Sequence, residues 1–511
     1  MPQDNKTEKI IFLLFFLFML FYYALRMVAI SPWYDEVYSY NYFISRGPVY
    51  SALHWPLPNN HVFFSVISSL LIPFGNLIAL RGISYFSAVG IIILLFIFLK
   101  NGNNILAVIV SICFYVIQLL PTTLSVQGRG YCLATFFLVL ALLSGKKIFF
   151  DDKVKVDKKW YILWFVSLWL GLYTLVSSVY YVVAICVSFG IYALIRKKYR
   201  ELIKLIIASV YSAFATLLCY GILWASIGSH DIFMHEHYSD THISIVLSMP
   251  AECLKRGFNL MRNNPYMGGV DRSLFIKDFR YFFRQLFGEF FPVTGIYANL
   301  AFFAIITIFV MVILILYIFR VKKGNEIPHM WYLFYGLLAS VSIIVVFVVL
   351  LIQSAYPYAR NLSFLGIFFA MVIYVPVNKL FLVIKNKKIQ ILLTLGIIAI
   401  TIFMILGSGM MKEYSALDHN ATELISKIEF ENGSTYMVSD EYSLMQMEYI
   451  VIHGRKTELI ISDNPDEVDY VIVLKGENSG AWPYIHNGDE IARAISEKSL
   501  ISENDYYEIW K

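Results

Sequence analysis

Residues 10–36 read IIFLLFFLFMLFYYALRMVAISPWYDE, and this stretch decides the class of the fold. Arg26 is its only charge before Asp35. A run of about 20 apolar residues has the length of a helix crossing a bilayer. The run carries no small-residue cleavage site, so it reads as an uncleaved signal anchor. Similar runs recur down the chain. Of its 511 residues 59% are hydrophobic and 15% charged, where a soluble chain carries about a quarter charged residues. So much apolar surface fits a membrane and not a soluble core.

The pattern predicts eleven spans, at 10–30, 79–99, 105–121, 128–145, 160–177, 178–195, 203–226, 292–319, 330–352, 361–378 and 389–409. The segment 61–77 is apolar enough to be a twelfth, and charge decides against it. With the N-terminus cytoplasmic, eleven spans put Lys100, the loop 146–159, the loop 196–204, the loop 320–323 and the loop 385–388 inside, and these are the basic loops. A span at 61–77 would move most of them outside. It is therefore expected to lie on the outer surface as a juxtamembrane helix. The odd count places the C-terminal region outside. From Met411 onward there are 20 Asp and Glu against 8 Lys and Arg, a balance of −12, which leaves the remainder at +17 for the whole to reach +5. Strand-like runs at Tyr436–Ser439, Tyr470–Leu474 and Tyr506–Trp510 alternate there with helical stretches such as 443–452, predicting a small α/β module. The expected architecture is an all-α polytopic membrane domain (1–410, with its first outer loop at 31–78) and an extracytoplasmic α/β domain (411–511). Four of the five cysteines lie in apolar runs, and no disulfide framework or zinc spacing follows from them. No basic stripe with interleaved aromatics marks a nucleic-acid partner.

The chemistry gathers at the expected outer face. Asp35 and Glu36 follow the first span, where adjacent carboxylates are costly unless hydrated, paired or used. They could also simply start a short helix, since acids suit helix N-termini. Asn59, Asn60 and His61 end a polar, proline-rich turn and could hydrogen-bond a hydroxylated ligand, or cap the juxtamembrane helix. Arg46, Arg81, Arg129 and Arg360 stand singly among apolar or aromatic neighbours. An arginine fork donates two parallel hydrogen bonds and stays charged, which suits phosphate. At the membrane surface that means a lipid phosphate; the alternative is an arginine reaching for ordinary head groups. Several on one face favour a specific site. The stretch 235–242, with His235 and His237, is a candidate for a divalent metal, although its spacing matches no closed zinc motif.

Taken in order, these pieces resemble the multi-spanning glycosyltransferases of the GT-C fold, near the protein O-mannosyltransferase and aminoarabinose transferase branch. The resemblance rests on Trp33-Tyr34-Asp35-Glu36, Pro58-Asn59-Asn60-His61, Leu80-Arg81-Gly82-Ile83-Ser84, Gln127-Gly128-Arg129-Gly130-Tyr131 and Tyr358-Ala359-Arg360-Asn361-Leu362. It departs from the family where a proline commonly follows the histidine and this chain has Val62. The resemblance implies a polyprenyl-phosphate monosaccharide as donor, with a glycan, lipid or protein acceptor on the outer face. Asp35 would be the general base and Glu36 would orient the acceptor or a metal. Arg81, Arg129 and Arg360 would meet the departing phosphate. Asn59, Asn60, His61, Tyr131 and Tyr358 are the candidate substrate contacts. No phosphate-cradling glycine loop is present, as fits a sugar already assembled on lipid.

Two other readings compete. A lipid-linked glycan ligase or polymerase would also use outer arginines, without needing the Asp35-Glu36 pair. A flippase or transporter would favour ionisable groups or broken helices near mid-membrane, and the expected spans are nearly free of acids.

Overall fold

The computed structural model describes residues 6–54, 60–100, 104–150, 156–227, 281–282, 284–291, 304–312, 331–353, 357–407, 415–475 and 484–511. The chain is a polytopic helical membrane protein with a small C-terminal sheet. Among the described residues seven helices are long and apolar enough to span: α1 (Lys6–Ala29), α5 (Asn76–Leu99), α8 (Tyr131–Phe150), α10 (Val179–Ile195, with the 3₁₀ turn before it), α11 (Tyr199–Ile227), α13 (Leu365–Val383) and α14 (Lys387–Gly407). Three more of the expected spans are occupied by α6 (Ile105–Val116), α9 (Lys158–Thr174) and α12 (Trp331–Gln353). The span expected at 292–319 is described only over 304–312, which is helical.

Helix α1 shows how the bundle is built. Ile11, Phe15, Met19, Tyr22, Tyr23 and Arg26 recur at helical spacing and are buried, while Leu13, Leu14, Leu17 and Phe21 on the other faces are exposed. A helix apolar all round turns one stripe to its neighbours and the rest to lipid. Helix α8 sits deeper and is buried along most of its length. The expected 105–121 span is interrupted. Helix α6 stops at Val116, and the short α7 (Leu119–Thr123) follows. Between them Gln118 donates to the Gly366 carbonyl at 3.1 Å, and Pro121 has no N–H with which to continue a ladder.

The loop after α1 folds as three short helices, α2 (Tyr34–Tyr42), α3 (Pro48–Leu53) and α4 (Val62–Ser69). Eight residues in α4 are too few to cross a bilayer, so the 61–77 segment is no span, as the basic loops required.

The C-terminal residues form a five-stranded sheet in the order β2-β1-β3-β5-β4, from β1 (Thr435–Val438), β2 (Ile460–Ile461), β3 (Tyr470–Leu474), β4 (Leu500–Glu503) and β5 (Tyr507–Trp510). Strand β1 pairs in parallel with β2 and β3, and β5 pairs antiparallel with β3 and β4. One face, with Tyr436, Val438, Tyr470, Ile472 and Ile509, packs on α15 (Ala416–Lys427) and α16 (Glu441–Met447). The opposite face, with Met437 and Val471, packs on α17 (Gly488–Ile495). The strands β2 and β4, short and exposed, were not anticipated. Expected helix 443–452 is α16 continued by a π turn over Glu448–His453.

Candidate active site

Helix α2 starts where it does because its first turn closes on itself. Trp33 adopts extended backbone, and its N–H donates to Glu36 Oε2 at 2.9 Å, half of a capping arrangement. Asp35 and Glu36 then occupy the positive end of the helix. Glu36 also binds more deeply. Its Oε1 accepts from Arg81 Nε at 2.8 Å and from the Gly128 N–H at 2.5 Å, and its Oε2 accepts from Arg81 Nη2 at 2.8 Å. Both side chains are fully buried. Arg81 spends its remaining donors on the end of α1: Nη1 on the carbonyls of Met27 (3.0 Å) and Ile30 (2.6 Å), Nη2 on that of Ser31 (3.1 Å). All five guanidinium N–H groups are thereby used. The pair closes on itself, and this geometry does not offer Arg81 to a phosphate or Glu36 to an acceptor or metal, which were the expectations.

Arg129 approaches α2 from the Gln127–Tyr131 turn. Its Nη1 donates to Ser39 Oγ at 2.6 Å and to the Asp35 carbonyl at 3.1 Å. The glycines on either side are needed for close approach: a Cβ on Gly128 would sit 2.6 Å from Leu80 Cδ1, and one on Gly130 would sit 2.7 Å from Thr174 Cγ2. The Gly130 N–H donates to His61 Nδ1 at 2.7 Å. That leaves the neutral ring's proton on Nε2, 3.4 Å from Arg129 Nη2. Burial, with the charges of Arg129 and Arg360 adding to it, holds His61 well below its ordinary pKa of 6.5, so the ring is neutral near pH 7. Two donors side by side favour an acceptor oxygen as their common partner. The Tyr131 ring meets the His61 ring edge-on at 4.9 Å.

Asp35 is the partly open member of the group. Its Oδ2 lies 3.0 Å from Arg360 Nη1, with the two side chains 20% and 28% exposed. Arg360 comes from a 3₁₀ turn before α13, far along the chain. Its guanidinium lies 5.2 Å from the Trp33 ring centre and 4.9 Å from that of Tyr358, within cation–π reach. Tyr358 itself is largely exposed.

The fold thus brings Asp35, Glu36, Arg81, Arg129, Arg360, His61, Tyr131 and Tyr358 together around the start of α2. Asn60 is near but turned to the loop: its Nδ2 donates to the carbonyls of Ser51 (2.9 Å) and His54 (2.7 Å), and its Oδ1 accepts from Ser65 at 2.8 Å. Asn59, His235 and His237 lie outside the described residues. No group of three metal-ligating side chains occurs among the described residues.

Sequence reasoning missed three participants. Ser39 holds Arg129. Glu289, in the helical residues 284–290, feels the positive charge of Arg360, and burial raises its carboxyl above the usual range. Its only signal was an acid standing among phenylalanines just before a span. Asp418 of α15 feels the charge of Glu36 and accepts from the Tyr34 backbone N–H, and nothing in its local sequence announces this.

No family model and no curated protein matches the sequence. Among solved structures, the chain is similar over 99% of its length to ArnT from Cupriavidus metallidurans bound to undecaprenyl phosphate, at 12% identity, 98% coverage of that chain and a TM-score of 0.44. For the apo state of the same protein the values are 98%, 12%, 97% and 0.43. Similarity to the Archaeoglobus fulgidus oligosaccharyltransferase, in complex with zinc and sulfate, covers 95% of this chain and 71% of that one, at 12% identity and a TM-score of 0.49.

Proposed function

We propose that this protein is an inverting glycosyltransferase that moves a monosaccharide from a polyprenyl-phosphate donor to an acceptor hydroxyl on the outer face of the membrane. One observation carries the reading: a partly exposed carboxylate, Asp35, faces Arg360 at 3.0 Å, with Arg129 and neutral His61 grouped at the same helix start. A base and cations in one place suit a reaction in which a proton leaves one oxygen while negative charge grows on another. Asp35 takes the acceptor's hydroxyl proton as that oxygen bonds to the anomeric carbon. The bond from that carbon to the phosphate oxygen breaks, and its electron pair leaves with the polyprenyl phosphate. Arg360 and Arg129 stabilise the departing phosphate, and the His61 Nε2–H supplies a further donor. Tyr131 and Tyr358 flank the sugar path. Glu36 and Arg81 are assigned to holding α2 on α1, which replaces the roles the resemblance implied for them.

The orientation read from charge, with the N-terminus cytoplasmic and residues 411–511 outside, puts this site where a lipid-linked sugar is presented. A divalent ion at His235 and His237 would add charge for the phosphate, and assays with and without a chelator test that addition. The central test is transfer from labelled polyprenyl-phosphate sugars in membranes with matched expression. Wild type should transfer, Asp35→Asn should lose transfer by about 100-fold or more, and Arg360→Ala should lose a comparable amount. Transfer that survives Asp35→Asn would remove the base and favour a ligase or a transporter.

A further inference from the structure

The C-terminal residues do more than hang beside the membrane bundle. Their α15 and α16 close over the first turn of α2. The Tyr34 ring stacks on Tyr442 at 5.0 Å with 12° between the planes. Asp418 accepts from the Tyr34 backbone N–H and is held by the Tyr442 hydroxyl and by Gln446 Nε2 at 3.1 Å. Two helical turns on, Asn41 Nδ2 donates to the Met445 carbonyl at 3.0 Å and to Glu448 at 3.2 Å. Tyr40 meets Tyr449 edge-on at 5.2 Å. Tyr34 is the residue directly before Asp35, so this grip acts on the backbone that carries the proposed base.

We propose that Asp418 and Tyr442 are positioning residues for Asp35, making the C-terminal domain a structural part of the transfer site. This rests on the function proposed above, because it is that reading which gives Asp35 its task. Position 418 holds a buried carboxyl where an amide could also accept the N–H. The groups facing it are Glu36, whose negative charge opposes its ionisation, and the hydroxyls of Tyr442, Tyr507 and Ser415. Burial foremost lifts its pKa from 3.8 to about 7. The folded chain then keeps a proton there that the unfolded chain would release, so the stability this group contributes falls as pH rises from about 4 to about 7 and stays low above that.

The test compares full-length wild type, Asp418→Ala, Asp418→Asn and Tyr442→Phe in lipid nanodiscs by amide exchange and by transfer kinetics. Exchange at Tyr34 should quicken about tenfold in Asp418→Ala, less in Tyr442→Phe, and stay near wild type in Asp418→Asn, which keeps an acceptor oxygen. Protection of β3 shows whether the domain stays folded; if Asp418→Ala loses it, Tyr442→Phe decides. The same loosening should lower kcat about tenfold with KM within about twofold. The Tm of wild type relative to Asp418→Asn should decline from pH 4 to 7. Unchanged Tyr34 exchange in a folded Asp418→Ala, or unchanged kcat beside faster exchange, overturns the proposal. Absence of transfer in wild type would instead overturn the function, and the exchange comparison would still decide whether the grip exists.

Discussion

Glu36 and Arg81 illustrate how much a single buried fork can hold. The arginine joins the end of α1, the start of α2 and, through Glu36, the Gly128 turn. Removing one partner of a buried pair costs more than the pair itself contributes, because the other charge is left without compensation. Glu36→Gln is therefore expected to destabilise the protein by about 3–5 kcal/mol, read as earlier unfolding in mixed micelles, with transfer lost through misfolding and not through chemistry. An equally stable Glu36→Gln protein with no transfer would return Glu36 to the reaction. At this scale the sequence marked residues that the fold brings together, and it could not show which of them are already paired. Residue type shows that Arg81 can bind a carboxylate or a phosphate equally well, and only packing shows that Glu36 and three carbonyls have already taken its donors.

Elements near the site are set by turns as much as by helices. The Gln127–Tyr131 turn passes so close to Leu80 that a methyl on Gly128 would also meet the Leu80 carbonyl oxygen at 2.9 Å. Gly128→Ala should push the turn away, lengthen the N–H contact to Glu36 and carry Arg129 with it. Overpacking of this kind costs about 1–3 kcal/mol. Transfer should fall more than stability does, and a Gly128→Ala enzyme with wild-type kcat would show that Arg129 need not be placed by this turn. Span periodicity was legible because helices against lipid are apolar on nearly every face. The break of α6 at Val116 was less so: Gln118 and Pro121 were visible, but the partner carbonyl of Gly366 comes from a helix some 250 residues later. In the C-terminal region, β1, β3 and β5 stood out as apolar runs. The two-residue β2 and the exposed β4 have too little buried surface to leave a pattern.

At the scale of the whole molecule the open question is the orientation that charge suggests. Glu8 of α1 pairs with Lys387 at the start of α14, and α2 meets the C-terminal residues. The orientation read from the basic loops predicts that, in a chain without its native cysteines, a cysteine at Lys387 reacts with an impermeant thiol reagent only after the membrane is opened. One at Glu508 should react in intact cells. The reverse pattern would invert the topology and remove the site from the outer face. Overall charge marked residues 411–511 as an acidic region but could not show that they meet α2, because Asp418 and Tyr34 are joined by tertiary packing alone.

The fork at Arg81 also bears on the order in which the chain is made. The carbonyls of Met27, Ile30 and Ser31 leave the ribosome some fifty residues before the guanidinium that satisfies them. Glu36 then waits for Gly128, Asp35 for Arg360, and Tyr34 for Asp418. The start of α2 is synthesised before each of these partners, so a chain cut short of Arg360 and Asp418 holds Asp35 and Tyr34 without the groups that they meet in the fold.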